Sequence, residues 1–233
     1  MNYYAHLHTK TEHAFMNKKI VFIASALMLF AATDNTWAAP PTGGSNYQTI
    51  DAATAQAYMN NYKNNVQNKF AEYYTLDLTP ITNYVNAGAA AVRMYNGLMA
   101  DGSKVAVMVP VDVNYNNITN GSQMAAMSTV WICPPNCDVT KSGATATMMS
   151  TSNAQAATNN YNNNGNYDSY NAFLIYPAVL NALRNVGTTY YHVCNGIITG
   201  TGQRCIIYRG VNASGGATYY IEDSGSMSSR ASM

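Results

Sequence analysis

"VRMYNGLMADGSKVAVMVPVD", Val92 to Asp112, returns further along the chain as "HVCNGIITGTGQRCIIYRGVN", His192 to Asn212. The correspondence extends outward from both strings. At an offset of 99, the "AQA" of Ala55–Ala57 meets Ala154–Ala156 and the "NNY" of Asn60–Tyr62 meets Asn159–Tyr161. Asn86 and Gly88 then meet Asn185 and Gly187, and Asn96-Gly97 meets Asn195-Gly196. One extra residue in the next turn raises the offset to 100, so that Gly102 meets Gly202, Lys104 meets Arg204, Val111 meets Val211 and Asp112 meets Asn212. After a longer loop in the first copy, "STVWI" at Ser128–Ile132 resembles "ATYYI" at Ala217–Ile221. Asparagine, alanine and tyrosine are abundant, but bias does not repeat paired glycines in the same order. The chain reads as a tandem duplication, residues 46–145 and 146–233.

Each element is then predicted twice. "TIDAATAQAYMNNYKNN" carries Ile50, Ala53, Ala57 and Tyr58 near helical spacing, with Thr49 or Asp51 able to cap it. Its counterpart spans about Ser150–Tyr161. A second helix starts near Pro80 and stops before Gly88, and its counterpart is placed at Tyr170–Val186, with Pro177 starting or kinking it. A hairpin follows, turning at Asp101-Gly102, with Val105, Val107, Val109 and Val111 on one face at period two. In the second copy the tip is Thr199–Gly200. With a third strand closing each unit, the fold class is α+β: two α-α-β-β-β units, antiparallel sheets, helices packed on one face. The Asn160–Asn166 run is predicted as a flexible loop.

"MNKKIVFIASALMLFAATDNTWAAPP" has the three parts of a secretory signal: Lys18 and Lys19, an apolar run from Ile20 to Ala32, and small residues inviting cleavage near Ala38 or Ala39. Residues 1–39 are thus an N-terminal extension and a cleaved signal, with translation starting at Met1 or Met16. The expected location is periplasmic or extracellular, without a stable membrane anchor, since the apolar run is too short to span a bilayer. Cleavage would remove His6, His8 and His13 and leave His192 alone, which excludes a multi-histidine metal site within one chain. It also removes three of the 12 basic and two of the 11 acidic residues, leaving 9 of each. A neutral chain without a basic cluster is a poor partner for nucleic acid.

All four cysteines, Cys133, Cys137, Cys194 and Cys205, lie in the exported part, where an even set reads as two disulfides. A tip at Thr199–Gly200 would set Cys194 opposite Cys205, leaving Cys133–Cys137 to close the "CPPNC" loop. Cross-links between the two copies, a four-thiolate zinc site and a redox-active Cys133–Cys137 stay open as alternatives. The last of these lacks the usual two-residue spacer and a helix N-terminus.

"AAVRMYNGLMADGSKVAVMVPVD" followed by "CPPNC" resembles an uncharacterised group of small exported bacterial proteins. Their pattern is Ile/Val-Arg-x-Tyr, Gly, an Asp-Gly-type turn, an apolar strand ending in Val-Asp, and Cys-Pro-Pro-x-Cys. Arg93, Tyr95, Gly97, Val109, Asp112, Cys133, Pro134, Pro135 and Cys137 occupy those places. The resemblance covers about residues 49–137. It implies a fold and an exported location and supplies no activity. The second copy departs from the pattern, with His192 in place of Arg93 and no second "CPPNC".

Enzymatic motifs are missing from the sequence. No G-x-S-x-G elbow surrounds a serine, and no phosphate loop, dinucleotide fingerprint, calcium loop or metalloprotease helix occurs. Glu72, Asp77, Asp112 and Asp168 qualify for paired-carboxylate chemistry by residue type alone. Arg93 and Asp112 could pair across the first hairpin. The sequence therefore points to a non-enzymatic binding module, without cofactor or metal, using Arg93, Tyr95, Asp112 and His192. The tyrosine- and asparagine-rich surface suits an unknown protein or a glycan, and homo-oligomerisation stays open. The alternative is an envelope hydrolase with a site near Arg93/Asp112 or His192. A pocket gathering those residues would favour the hydrolase, and a flat tyrosine patch would favour binding.

Overall fold

A computed structural model describes residues 47–76, 78–119, 125–129, 132–134, 137, 145–214, 216–222 and 227–229. The signal and its cleavage site lie outside these residues, as do Asp77 and Pro135. Contacts gather Ala38–Met233 into one unit.

The elements form two series of the same kind. The first runs β1 (Tyr47–Ile50), α1 (Ala52–Asn65), β2 (Tyr73–Thr75), α2 (Leu78–Asn86), β3 (Ala91–Leu98), β4 (Lys104–Val111), β5 (Ala125–Thr129) and β6 (Ile132–Cys133). The second runs β7 (Thr145–Met149), α3 (Thr151–Asn163), β8 (Tyr170–Ile175), α4 (Pro177–Asn185), β9 (Thr188–Ile197), β10 (Arg204–Asn212), β11 (Ala217–Glu222) and β12 (Met227–Ser229). The fold is α+β with antiparallel sheets, as expected, but each series holds more strands than the expected unit. Tyr170–Ile175 is a strand where the sequence suggests the start of a helix. The helix begins at Pro177, whose fixed φ and missing N–H suit a first-turn position. Asp51 caps α1 by accepting from the Thr54 amide at 2.7 Å, and Ser150 caps α3 from the Asn153 amide at 3.2 Å. The Asn160–Asn166 run is not a loop throughout: Asn160–Asn163 complete α3, with Tyr161 buried among them.

Two six-stranded sheets have the orders β1-β11-β10-β9-β2-β6 and β7-β5-β4-β3-β8-β12. Each sheet is built on three strands of one series and completed by three strands of the other. The boundary at residues 145/146 therefore separates the two series in sequence but not in space. The registers repeat as well. Arg93 faces Val109 in the first hairpin, and 93 + 99 and 109 + 100 give His192 facing Arg209 in the second. Tyr73 pairs with Cys194, while 73 + 99 and 194 − 99 give Ala172 paired with Tyr95. Such reciprocity, in which i meets j and the mate of j meets the mate of i, is the signature of an isologous two-fold contact.

Side-chain bonds obey the same rule. Asn61 donates to the Ile197 carbonyl and Asn160 to that of Leu98. Asn195 donates to the Ala71 carbonyl and Asn96 to that of Tyr170. The third strands match at a different offset from the expected one. Met108 faces Ala126 where Tyr208 faces Tyr220, so "STVWI" and "ATYYI" are five residues out of step.

The sheets face each other across a core holding Met94, Met108, Phe173, Val193, Ile206 and Tyr208. Ile81 of α2 and Val179, Leu180 and Leu183 of α4 join it. α1 and α3 lie on the outer faces instead, each on the hairpin of the other series. Not all helices therefore share one face: two cover the sheets from outside and two help fill the centre. The strand glycines permit the outer contacts. A Cβ on Gly97 would meet Ala157 at 3.2 Å, and one on Gly196 would meet Cys205 Sγ at 2.8 Å and Tyr58 Cβ at 3.4 Å. Gly196→Ala should therefore cost about 1–3 kcal/mol through overpacking, read from urea midpoints. An unchanged midpoint would show that the Cys205 and Ile207 side chains, which such a Cβ would meet at 2.8 and 2.9 Å, give way.

Candidate functional site

The first hairpin turns over three residues rather than two: Met99 N–H donates to the Ser103 carbonyl, and Gly102 sits at φ +82°. In the second hairpin, Ile198 N–H donates to Gln203, which encloses one residue more. This places the pairing axis one residue beyond the expected tip, so Cys205 faces Gly196 and Cys194 faces Ile207. The cysteines are diagonal neighbours, roughly 7–8 Å apart on such a sheet and beyond disulfide reach. Both are free and buried, which corrects the expected Cys194–Cys205 bridge. Cys133–Cys137 is bonded, with Cα atoms 4.6 Å apart.

Arg93, Tyr95 and Asp112 act together, but on the protein's own loop. Arg93 is buried and donates to Asn117 Oδ1 and the Tyr115 carbonyl, each at 2.7 Å. Asn117 Nδ2 in turn donates to the Tyr95 hydroxyl at 2.7 Å. Asp112 Oδ1 accepts the Asn114 and Asn116 amides at 2.8 and 2.9 Å. Hydrogen bonding from Asn116, chiefly, holds its carboxyl below the usual range, with a smaller contribution from the Arg93 charge. Asn212 Oδ1 accepts the Ser214 and Gly216 amides at 3.1 and 2.8 Å in the matching loop. A neutral amide does the same work there, so the role of Asp112 is to form the turn. These residues fasten a loop.

The fourth expected residue lies elsewhere. His192 is 1% exposed on β9 and borders a cleft of about 280 Å³ on the outer face of its sheet. Lys63 of α1, Glu72 beside β2, Tyr73 and Arg209 also line it. Lys63 Nζ stands 3.8 Å from Glu72 Oε2. The Tyr73 ring leans on the imidazole, centroids 5.3 Å apart. Arg209 Nη1 lies 3.0 Å from His192 Nδ1, and its Nε donates to the Tyr219 hydroxyl at 3.4 Å. A guanidinium only donates, so Nδ1 accepts and the neutral ring carries its proton on Nε2. Burial, reinforced by the Arg209 charge, brings the imidazole down to about 4. It is a hydrogen-bond donor at neutral pH, with the lone pair of Nδ1 taken by the Arg209 guanidinium. Burial pushes the Cys194 thiol up to about 12, so this lining sulfur is no nucleophile.

Unfolded His192 would titrate near 6.5 and the folded ring near 4, so across that window the unfolded chain holds more protons. Stability should fall as pH drops from 6.5 toward 4 and level off below. Asp51, Asp101 and Asp112, held under 3.8 by hydrogen bonds, add their losses only at lower pH. His192→Gln keeps an acceptor for Arg209 and should flatten that limb in urea unfolding. Parallel pH profiles for the two proteins would contradict the assignment.

The equivalent position in the other sheet is built differently. Lys63 and Glu72 map to Asn162 and Asn171, which hydrogen-bond each other, and Arg209 maps to Val109. His192 maps to Arg93, tied to its loop, and Cys194 to the fully buried Tyr95. Four ionisable groups border a cleft at one of the two positions, whereas the other holds amides, apolar groups and one cation, Arg93, which is bound to its own loop. Lys63, Tyr73 and Arg209 were not singled out in the sequence, and Glu72 only as a carboxylate. The signal that could have found them is the contrast between copies, charge against Asn or Val at matched positions. No group of three or more metal-ligating side chains occurs among the described residues, and no described helix is long and apolar enough to cross a membrane. No family model, curated protein or solved structure matches this chain.

Proposed function

We propose that the protein is an exported, duplicated, non-enzymatic binding module whose ligand seat is the cleft at Lys63, Glu72, His192 and Arg209. The observation that carries this reading is that charge borders a cleft at one position, while at the other the cation, Arg93, is committed to its own loop. A chain with few ionisable residues gathers four of them around a cleft at one of two equivalent positions. Solvent-exposed charges need no cleft, and a structural role would not require the copies to differ. The chemistry of the lining favours binding over turnover, because the imidazole is a donor held by a guanidinium and the thiol is protonated. The bonded Cys133–Cys137 pair suits the oxidising compartment that the signal sequence implies. A protein or a glycan remains the partner class, and the resemblance to small exported bacterial proteins agrees with that location.

The test compares the mature protein with Arg209→Leu in pull-downs from envelope and culture fractions, alongside a hydrolase substrate panel. The expected result is a partner or glycan retained by the wild type and lost by the variant, without turnover. Turnover of a panel substrate that His192→Gln abolishes would replace this reading with the envelope hydrolase.

A further inference from the structure

Arg209 has no counter-ion among the described residues. Its guanidinium is held by two neutral groups, the His192 ring and the Tyr219 hydroxyl. Neutral oxygens also hold Arg93 and Arg184, the latter through the Thr82 hydroxyl, but neither borders this cleft. Arg204 meets the Asp168 carboxylate at 2.6 Å, and Arg93 is committed to Asn117 and the Tyr115 carbonyl. The carboxylate lining the cleft, Glu72, stands against Lys63. With the imidazole neutral, Lys63 and Arg209 set against Glu72 leave the cleft one positive charge in excess. At the matching position Val109 stands in place of Arg209, and the cation there, Arg93, is bound to its own loop.

An excess of one favours a monoanion, and a guanidinium fork favours a planar anion with two oxygens over a single point of charge. A volume near 280 Å³ suits a molecule of the size of one sugar or one amino acid. Tyr73 and Tyr219 add aromatic surface with polar tips, suited to a body carrying hydroxyl or amide groups. We propose that the cleft takes a small organic carboxylate, a sugar acid or an N-acylated amino acid, with Arg209 as its counter-ion. This rests on the cleft being the ligand seat and adds the class of ligand.

Two matched pairs test it: glucuronate against glucose, and N-acetylalanine against its amide. Titration calorimetry gives affinities, and the His192 ring resonances report occupancy of the cleft. At least one acid should bind ten or more times tighter than its neutral partner and shift the His192 signals. The pair that discriminates tells sugar acid from N-acylated amino acid. Arg209→Leu should abolish the difference, and Arg209→Lys, which keeps the charge without the fork, should retain a small part of it. Lys63→Met should weaken acid binding less than Arg209→Leu does. Equal binding of acid and neutral partner at His192 would overturn the carboxylate assignment while leaving the ligand seat standing. Methyl phosphate displacing the acids would overturn it in favour of a different anion. If all four compounds leave His192 unshifted at millimolar concentration, the proposal is wrong.

Discussion

Residues 141–233 produced alone should not fold as a monomer, and neither should residues 40–140. The β9-β10-β11 sheet would lose β2 and β6 from one side and β1 from the other. It would also lose α1, exposing the face that carries Cys194, Cys205 and Ile207. A bare three-stranded remnant with two open edges and an uncovered apolar face is marginal in water. The first fragment meets the mirror-image loss, since β8 and β12 leave β3 and β7 leaves β5. Mixed in equal amounts, the fragments should regain the native far-ultraviolet spectrum and elute as one 1:1 complex. Self-association is the one route to order open to either fragment alone, because the reciprocal registers let a second molecule supply the strands the first lacks. A monomeric fragment with a cooperative unfolding transition would contradict the exchange of strands.

Asp168→Ala should be the most damaging single substitution tested here. Its carboxylate and the Arg204 guanidinium form a pair whose side chains are 13% and 10% exposed. The guanidinium is sandwiched between Tyr62 and Tyr170, 4.4 and 4.8 Å from the ring centroids. Tyr62 donates to Asp168 Oδ2 at 3.2 Å and Tyr161 to the Asp168 carbonyl at 2.8 Å. Removing one member of a buried pair leaves the other charged and unpaired, at a cost of about 3–5 kcal/mol. For a domain of this size that lowers Tm by roughly 10 °C. Arg204→Met should cost a similar amount, and the double variant Arg204→Met/Asp168→Leu less than the sum of the singles. Thermal scans and urea titrations give the cycle. Two single variants each costing below about 1 kcal/mol would show that the pair is solvated. The counterpart position carries Lys104, over Phe70 and Tyr167, with its amine donating to the Phe70 and Pro134 carbonyls. Each hairpin thus pins a cation against two aromatic rings, one of them from the other series.

The hairpins, three of the helices and the extra turn residue were legible because each left a local signal in both copies. Asp51 and Ser150 cap where the sequence allows, and the 99-to-100 step coincides with the longer second turn. What escaped has physical reasons. Strands of two to four residues, such as Ile132–Cys133 and Tyr73–Thr75, are too short for a period to emerge. Strand exchange leaves no mark either, because alternation along Tyr170–Ile175 is the same whichever copy it joins. The Cys194–Cys205 bridge failed on one residue of turn length, since moving the axis by one residue displaces every partner by two. The motif residues Arg93, Tyr95 and Asp112 looked like a site because charge and hydroxyl cluster there. Their partners, Asn117 and the backbone amides after Asp112, were invisible without the loop's path. His192 was found by elimination, whereas Lys63 and Arg209 come to it from an exchanged helix and a neighbouring strand.

The claim on which the rest depends is that one of two equivalent positions has become a ligand seat. Crystals of the mature protein soaked with a chemically diverse fragment library test this without assuming a ligand. Bound fragments should concentrate between Lys63, Glu72, His192 and Arg209 and leave the Asn162, Asn171 and Val109 position empty. Fragments distributed evenly over both positions, or gathered in the shallow asparagine-lined groove between Met99 and Asn160–Asn166, would contradict the account.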